Sequence, residues 1–411
     1  MTSGLPSEDG HLHLRWFDKG AMLGVAIVVI VSIAPAVGTS ENVRISCFLL
    51  GSVLRGICPL PEYFSEDPLF TYESDPQQAG LTLIERKRLD RLYFPRTKQV
   101  LITKFDMYFV FDPRLEHFTS RQFMDLYEAS VEEGMPSLWA FGPSYGDICL
   151  TILNDVLPIS DYDGYYHKPW RVVFRTDLEP VFTPFIKLGM EKVPGEAYGW
   201  MQPRQGAVTW ADMKPFDFPW MVSWRPGPNG GLSWVCADEF NMVWWALTLE
   251  TRGTNPYAID LMTNLVLYSL GRPLVSDIQL RHNARTRLST FRAEELGILS
   301  MLEFADKFGA NTLSLSKRIT DLESDVKDAL NRYFEQDYTG SINLVEAVSV
   351  ALTEIGNDAV RLKDQALFWV YVSEWLTVTA ASTFGGVMVW TLMVRRRMYR
   401  AVKVTRIRPG Y

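Results

Sequence analysis

Two uncharged apolar runs, one near each end, constrain this chain more than any other feature. Residues 20–40 carry no charged side chain and contain the core AMLGVAIVVIVSIA, and residues 375–394 repeat the pattern. A helix rises about 1.5 Å per residue, so roughly 20 residues cross the ~30 Å hydrocarbon core of a bilayer. Both runs meet that length, and two transmembrane helices are expected. Ala34-Pro35-Ala36 also resembles a signal-peptide cleavage site. The leader before it is acidic at Glu8, Asp9 and Asp18, where a signal peptide is basic, so a retained anchor is the expectation. Trp375, Phe384, Trp390 and Tyr399 border the second run and suit an interfacial aromatic belt. Glu374 lies at its outer edge, where a carboxylate reaches water.

Orientation follows from the basic residues. Arg395, Arg396, Arg397, Arg400, Lys403, Arg406 and Arg408 follow the second run, with no acid through Tyr411. Arg15 and Lys19 precede the first. The positive-inside rule places both termini in the cytoplasm and the middle outside the cell, giving a two-pass protein of the cell membrane. The net charge is −7 despite this basic tail, so the middle is distinctly acidic, which argues against a nucleic-acid partner.

Four cysteines, Cys47, Cys58, Cys149 and Cys236, stand where disulfides are permitted. Cys47 and Cys58 are close enough in sequence to pair, and three full pairings are open. There is no CxxC or Cys/His cluster and the histidines are scattered, so neither a metal site nor a cofactor is expected.

The middle alternates strands with helices. Residues 43–50 and 67–72 read as extended pieces. Residues 107–111, MYFVF, form a short apolar run typical of a strand buried on both faces. Thr119 or Ser120 caps a helix that Gly134 stops, and residues 137–141 give the next strand. The tight turn Gly142-Pro143-Ser144-Tyr145-Gly146 then opens a helix through about Val156, with Cys149 at a buried helical position. This alternation predicts a parallel, layered α/β domain. Residues 158–235 are rich in Pro, Gly and Trp and read as strands. The segment 219–237, with Pro226-Gly227-Pro228-Asn229-Gly230-Gly231 at its centre, is a hairpin signal. Residues 256–270 predict an amphipathic helix ended by Gly271. Beyond Leu274 strands vanish. Leu313, Ile319, Leu322, Val326 and Leu330, then Leu344, Val348, Leu352, Ile355, Ala359 and Leu362, keep helical spacing on either side of a turn at Gly340. The expectation is a helical-hairpin stalk whose last helix runs into the membrane. The expected organisation is a cytoplasmic tail (1–19), a first span (20–40), an extracellular α/β domain (41–272), a stalk (273–367), a second span (368–394) and a basic tail (395–411).

Residues 105–112, FDMYFVFD, then 131–146, VEEGMPSLWAFGPSYG, resemble the class I glutamine amidotransferase-like domain of membrane-anchored prokaryotic proteins. Asp155-Val156-Leu157-Pro158-Ile159, the strand-like piece 231–238 and the helix from Asn255 to Gly271-Arg272 extend the resemblance. It implies a Rossmann-like, flavodoxin- or amidotransferase-like fold. Active members use a Cys nucleophile on a strand–turn–helix elbow and a downstream His-x-Glu. Here the elbow has no Cys, and no His-x-Glu occurs in the chain, so amidotransferase chemistry is not expected.

The same turn matches Gly-x-Ser-x-Gly, the serine-hydrolase elbow. Ser144 would then be the nucleophile, with His167 or His282 as base and Asp238 as acid. The simpler reading makes Gly142 and Gly146 turn formers and Ser144 a helix cap. Asp112, Asp238 and Glu239 follow strands, at the carboxyl end of the sheet where α/β folds bind ligands. With Gly142, Ser144 and Tyr145 they form the candidate ligand site. Trp200, Trp210, Trp220, Trp224, Trp234, Trp244 and Trp245 would either stack on a sugar or peptide or pack the core. The expected function is a non-catalytic ectodomain binding a protein partner or small ligand, accessory to a transporter or envelope assembly. A membrane-anchored serine hydrolase using Ser144 and a scaffold that self-assembles through the stalk are the alternatives.

Overall fold

The computed structural model describes residues 44–51, 58–74, 82–113, 118–142, 148–238, 240, 243–245 and 255–405. The expected first span (20–40) lies outside these residues, as do Ser144, Tyr145 and Glu239. The chain is α/β, with one mixed nine-stranded sheet among the described residues and a long C-terminal helix.

Five strands run parallel: β1 (Ile45–Gly51), β2 (Phe70–Ser74), β3 (Met107–Phe111), β4 (Ser137–Ala140) and β9 (Ser233–Cys236). They lie in the order β2-β1-β3-β4-β9. Every residue of β3, β4 and β9 is buried, as the unbroken apolar runs require of strands covered on both faces. Four helices accompany them: α1 (Leu60–Glu66), α2 (Leu83–Tyr93), α3 (Lys98–Lys104) and α4 (Ser120–Val131). Ring contacts assign their faces. Phe48 of β1 packs on Phe94 and Phe105, which flank α3, and Tyr108 beside it in β3 bonds Ser130 of α4 at 2.6 Å. The next residue, Phe109, meets Phe64 of α1 on the opposite face. Thr119 and Gln122 form a reciprocal capping box that starts α4, as expected at Thr119.

After β4 the chain departs to build β5 (Ile159–Phe174), β6 (Pro194–Pro203), β7 (Val208–Lys214) and β8 (Phe218–Trp224) before returning as β9. These strands are antiparallel and extend the sheet in the order β9-β8-β7-β5-β6. The β8–β9 pair is the expected hairpin, with Trp224 opposite Ser233.

α5 (Ala258–Ser269) corrects one expectation: all but one of its residues are buried, so it is not amphipathic. The sheet covers one side, where Trp234 Nε1 donates to Ser269 Oγ at 2.7 Å. α6 (Ile278–Lys307) covers another through Arg281 and Asp260.

The stalk is also corrected. It has three helices rather than a hairpin: α6, α7 (Leu313–Phe334) and α8 (Tyr338–Thr405). α6 escaped the apolar count because two of its inward positions are Arg281 and Arg285. The α7–α8 turn falls at Glu335–Asp337, with Gln336 at φ 63°; Gly340 lies inside α8, its N–H bonded to the Asp337 carboxylate at 2.9 Å. α8 continues without a break from the bundle through residues 375–394, so the second apolar run is the continuation of the stalk helix. It is the one described helix long and apolar enough to cross a bilayer, and its most apolar window is wholly exposed.

Cys47 and Cys58 are free thiols, so no Cys47–Cys58 disulfide is present. Cys149, expected at a buried helical position, is half-buried.

Candidate functional site: a roofed strand end and an aromatic groove

The order β3-β4-β9 brings three of the expected site residues together at the carboxyl ends of neighbouring strands. Asp112 follows β3, Gly142 follows β4 and Asp238 follows β9. The backbone there is tight. Gly51 ends β1 at φ +88°, and a Cβ on it would overlap the Phe111 carbonyl, so only glycine fits. Asp112 sits at φ 36°, an uncommon conformation for a residue with a side chain, and its N–H donates to Ala140 O at 3.0 Å.

A ribbon formed by β5 and β6 covers two of these strand ends. Tyr162 Oη of β5 donates to Phe141 O at 2.8 Å, just past β4. Gly199 N–H of β6 donates to Ala237 O, just past β9, also at 2.8 Å. A Cβ on Gly199 would collide with the Tyr162 ring, so glycine lets the two strands press together here. Beneath the ribbon Asp238 is 0% exposed and Gly142 is buried, while Asp112 is half-exposed. Below them Trp220, Trp244 and Trp245 pack with centroids 4.7–5.7 Å apart. Their three buried indole N–H groups have no hydrogen-bond partner among the described residues. Tyr63 Oη of α1 donates to the Trp245 carbonyl.

The thiols nearby are unsuited to nucleophilic attack. Burial pushes Cys47 and Cys236 well above the ordinary thiol value and Cys58 up to about 12. They stay protonated near neutral pH, whereas a nucleophile must be a thiolate. His167 lies exposed on β5, opposite Ala197 of β6. His282 belongs to the stalk joint, with Nδ1 3.0 Å from the Asp260 carboxylate and 3.0 Å from Arg285 Nη2. Asp238, the acid paired with these histidines in the hydrolase reading, is buried beneath the ribbon, and the carboxylate that engages His282 is Asp260.

Side chains alternate along β6, so Tyr198 and Trp200 point away from the covered face that Gly199 touches. They line a concave groove with Asp163, Tyr166, Lys168, Phe216 and Phe218, about 450 Å³ in volume. Tyr198 stacks on Phe216 at 5.2 Å and 23°, and Phe216 on Phe218 at 6.0 Å and 23°. Tyr166 adds a ring 5.5 Å from Tyr198, and Lys168 Nζ stands 6.0 Å from the Phe216 centroid. Burial, with Tyr166 adding to it, raises the Tyr198 phenol, which therefore stays neutral. The tryptophans divide: Trp210, Trp220, Trp234, Trp244 and Trp245 are core, and Trp200 is the one in the groove. The expected site missed this groove, and Trp200 alone of its lining was among the aromatics singled out. Its residues come from β5, β6, the β7–β8 turn and the start of β8, and the density of aromatics over 158–235 was the available signal.

A second polar cluster joins the α/β domain to the stalk. Arg281 is 1% exposed and binds both Asp67 and Asp260. Asp67 also accepts from Tyr333 Oη at 3.0 Å and Thr263 Oγ1 at 3.3 Å. Arg285 contacts Asp260 and Glu66, each at 3.4 Å. Burial opposes ionisation of Asp260, but His282, Arg281 and Arg285 outweigh it and hold the carboxyl below its usual range. The cluster thus ties the residue after α1 (Asp67) to α5, α6 and α7 through Asp260, Arg281 and Tyr333.

No protein-family model matches the chain, and no curated protein is similar to it in sequence.

Proposed function

We propose that this protein is a membrane-anchored, non-catalytic binding protein with a Rossmann-like, amidotransferase-like domain held outside the cell, and that the aromatic groove takes a carbohydrate chain. The groove carries the reading. Flat aromatic faces attract the C–H faces of sugar rings, Asp163 accepts from hydroxyls and Lys168 donates to them. A concave, mainly apolar site with a few polar groups is the usual form of a small-ligand site.

The doubly wound reading is supported by the parallel order β2-β1-β3-β4-β9 with helices on both faces, which follows the 2-1-3-4-5 pattern of flavodoxin-like sheets. In such sheets ligands enter at the carboxyl ends of the strands. Here the β5–β6 ribbon lies over two of those ends, which favours binding at the groove over chemistry at the strand ends. The exposed apolar stretch of α8 and the arginines after it support the membrane mounting and a cytoplasmic C-terminus.

The test uses the full chain in nanodiscs, titrated calorimetrically with a panel of cell-envelope oligosaccharides. Saturable binding, lost in Trp200→Ala and Tyr166→Ala with the fold intact by circular dichroism, is expected. No binding across the panel, together with fluorophosphonate labelling that disappears in Ser144→Ala, would replace this reading with the serine hydrolase.

A further inference from the structure

The turn between α6 and α7 carries exposed apolar side chains that the α/β domain does not cover. Phe304 is 38% exposed, Phe308 43% and Leu313 78%. Phe304 and Phe308 pair at 4.8 Å, and the two phenyl rings form one small apolar patch at the end of α6.

Three contacts measure how far down α8 this turn reaches. Arg287 of α6 pairs with Glu346 of α8, and about three turns further on Ile298 lies against Gly356. On the other side, Arg318 of α7 bonds Asp358 at 2.8 Å. α6 and α8 run in step, and α7 runs against them. Carried forward at about 1.5 Å per residue, Phe308 reaches the level of roughly residue 366 and Leu313 that of roughly residue 363. Ala366 is the last buried residue of α8. Beyond it come Phe368, Trp369 and Tyr371, each more than half exposed. From residue 368 to 394 α8 is about 40 Å long, which matches a bilayer with its headgroups rather than the hydrocarbon alone. The level where α8 loses its protein packing is therefore also the level of the headgroups and of its own aromatic residues.

We propose that the α6–α7 turn is a second membrane contact, with Phe308 at its tip, flanked by Phe304 and Leu313, touching the outer face of the headgroup layer of the bilayer that α8 crosses. This rests on the reading of α8 as a membrane span. Continuity with that span identifies the occupant: Phe308 reaches to within about 3 Å of the level of Phe368, where the headgroup layer begins, with Leu313 about 8 Å short of that level, and aromatic residues favour that interfacial zone. Contact at two points sets the tilt of the stalk, which α8 alone would leave free. α6 then works as a strut of roughly 45 Å holding the α/β domain off the surface.

The test places spin labels on the full chain in phosphatidylcholine nanodiscs. A Cys149→Ser background removes the half-buried thiol, and the other three native thiols are buried and protonated. Labels go on Ala310→Cys in the turn, Lys327→Cys in mid-α7 and Thr383→Cys in the span, and their accessibility to oxygen is compared with that to a water-soluble nickel chelate. The expected ratio is highest at 383, lowest at 327 and intermediate at 310, falling at 310 to the level of 327 in a Phe304→Ser, Phe308→Ser, Leu313→Ser variant. These side chains are exposed, so the variant keeps its fold. A label at 310 as nickel-accessible as 327, with 383 still oxygen-rich, overturns the second contact and leaves the span intact. Shielding of 310 from both reagents marks a protein partner and overturns it too. Nickel access at 383 overturns the span itself.

Discussion

The stalk obeys opposite rules at its two ends. Where it meets the α/β domain, it buries charge: Arg281 sits between Asp67 and Asp260, all three at 1% exposure or less. At its other end it exposes hydrocarbon, and Phe384, Val387 and Trp390 are all more than half open. The contrast shows that neither burial nor polarity alone describes a helix. A buried charge is stable when its partners are fixed around it, and an exposed apolar face is stable when its solvent is not water.

The largest effect expected comes from breaking the charged end. Arg281→Met leaves Asp67 and Asp260 without their common cation and should cost about 3–5 kcal/mol in denaturant unfolding of the detergent-solubilised protein. A loss under ~1 kcal/mol would show that the joint is held by packing instead. The opposite change at the other end, Val387→Asp, puts a carboxylate near the middle of the proposed span. It should cost about 2.5–3.5 kcal/mol of insertion free energy, read as the fraction resisting carbonate extraction.

Acid should act on one end only. The Asp260 carboxyl is held below its usual range by His282, Arg281 and Arg285 against the effect of burial. Its contribution is therefore complete above the ordinary carboxylate value of about 3.9 and is lost as pH falls through its lower folded-state value. Hydrogen exchange at the start of α6 should stay slow at pH 5 and rise only in stronger acid. Faster exchange already at pH 5 would mean that Asp260 is not the ionised partner described. The smallest effect belongs to the middle of the stalk. Arg318 and Asp358 are 43% and 42% exposed, so Arg318→Ala should change stability by less than about 1 kcal/mol, an order that distinguishes exposed from buried ion pairs.

Much of the fold was legible residue by residue. The runs at β3 and β4 and the capped helix α4 stand where apolar runs and a Thr cap put them, because those signals are local. The second apolar run continues the stalk helix for the same reason. Other elements misled. α5 read as amphipathic because Asp260, Thr263 and Asn264 look solvent-facing in sequence, yet each is buried with a partner on another element. α6 was hidden by Arg281 and Arg285, which occupy inward positions that an apolar count assigns to water. At the candidate site, Asp112, Gly142 and Asp238 were correctly sent to strand ends, but nothing local announced the ribbon above two of them.

The sequence by itself determined the strands β3 and β4, the helices α4 and α7 and where a bilayer-length apolar helix lies, since propensity, period and length are carried by neighbouring residues. Only the tertiary structure decided that β5 and β6 fold over the ends of β4 and β9, that Tyr166, Tyr198, Trp200, Phe216 and Phe218 share one groove, and that two arginines of α6 face inward. Those outcomes depend on pairings between residues far apart in the chain, and their free energy resides in contacts that no window of sequence contains.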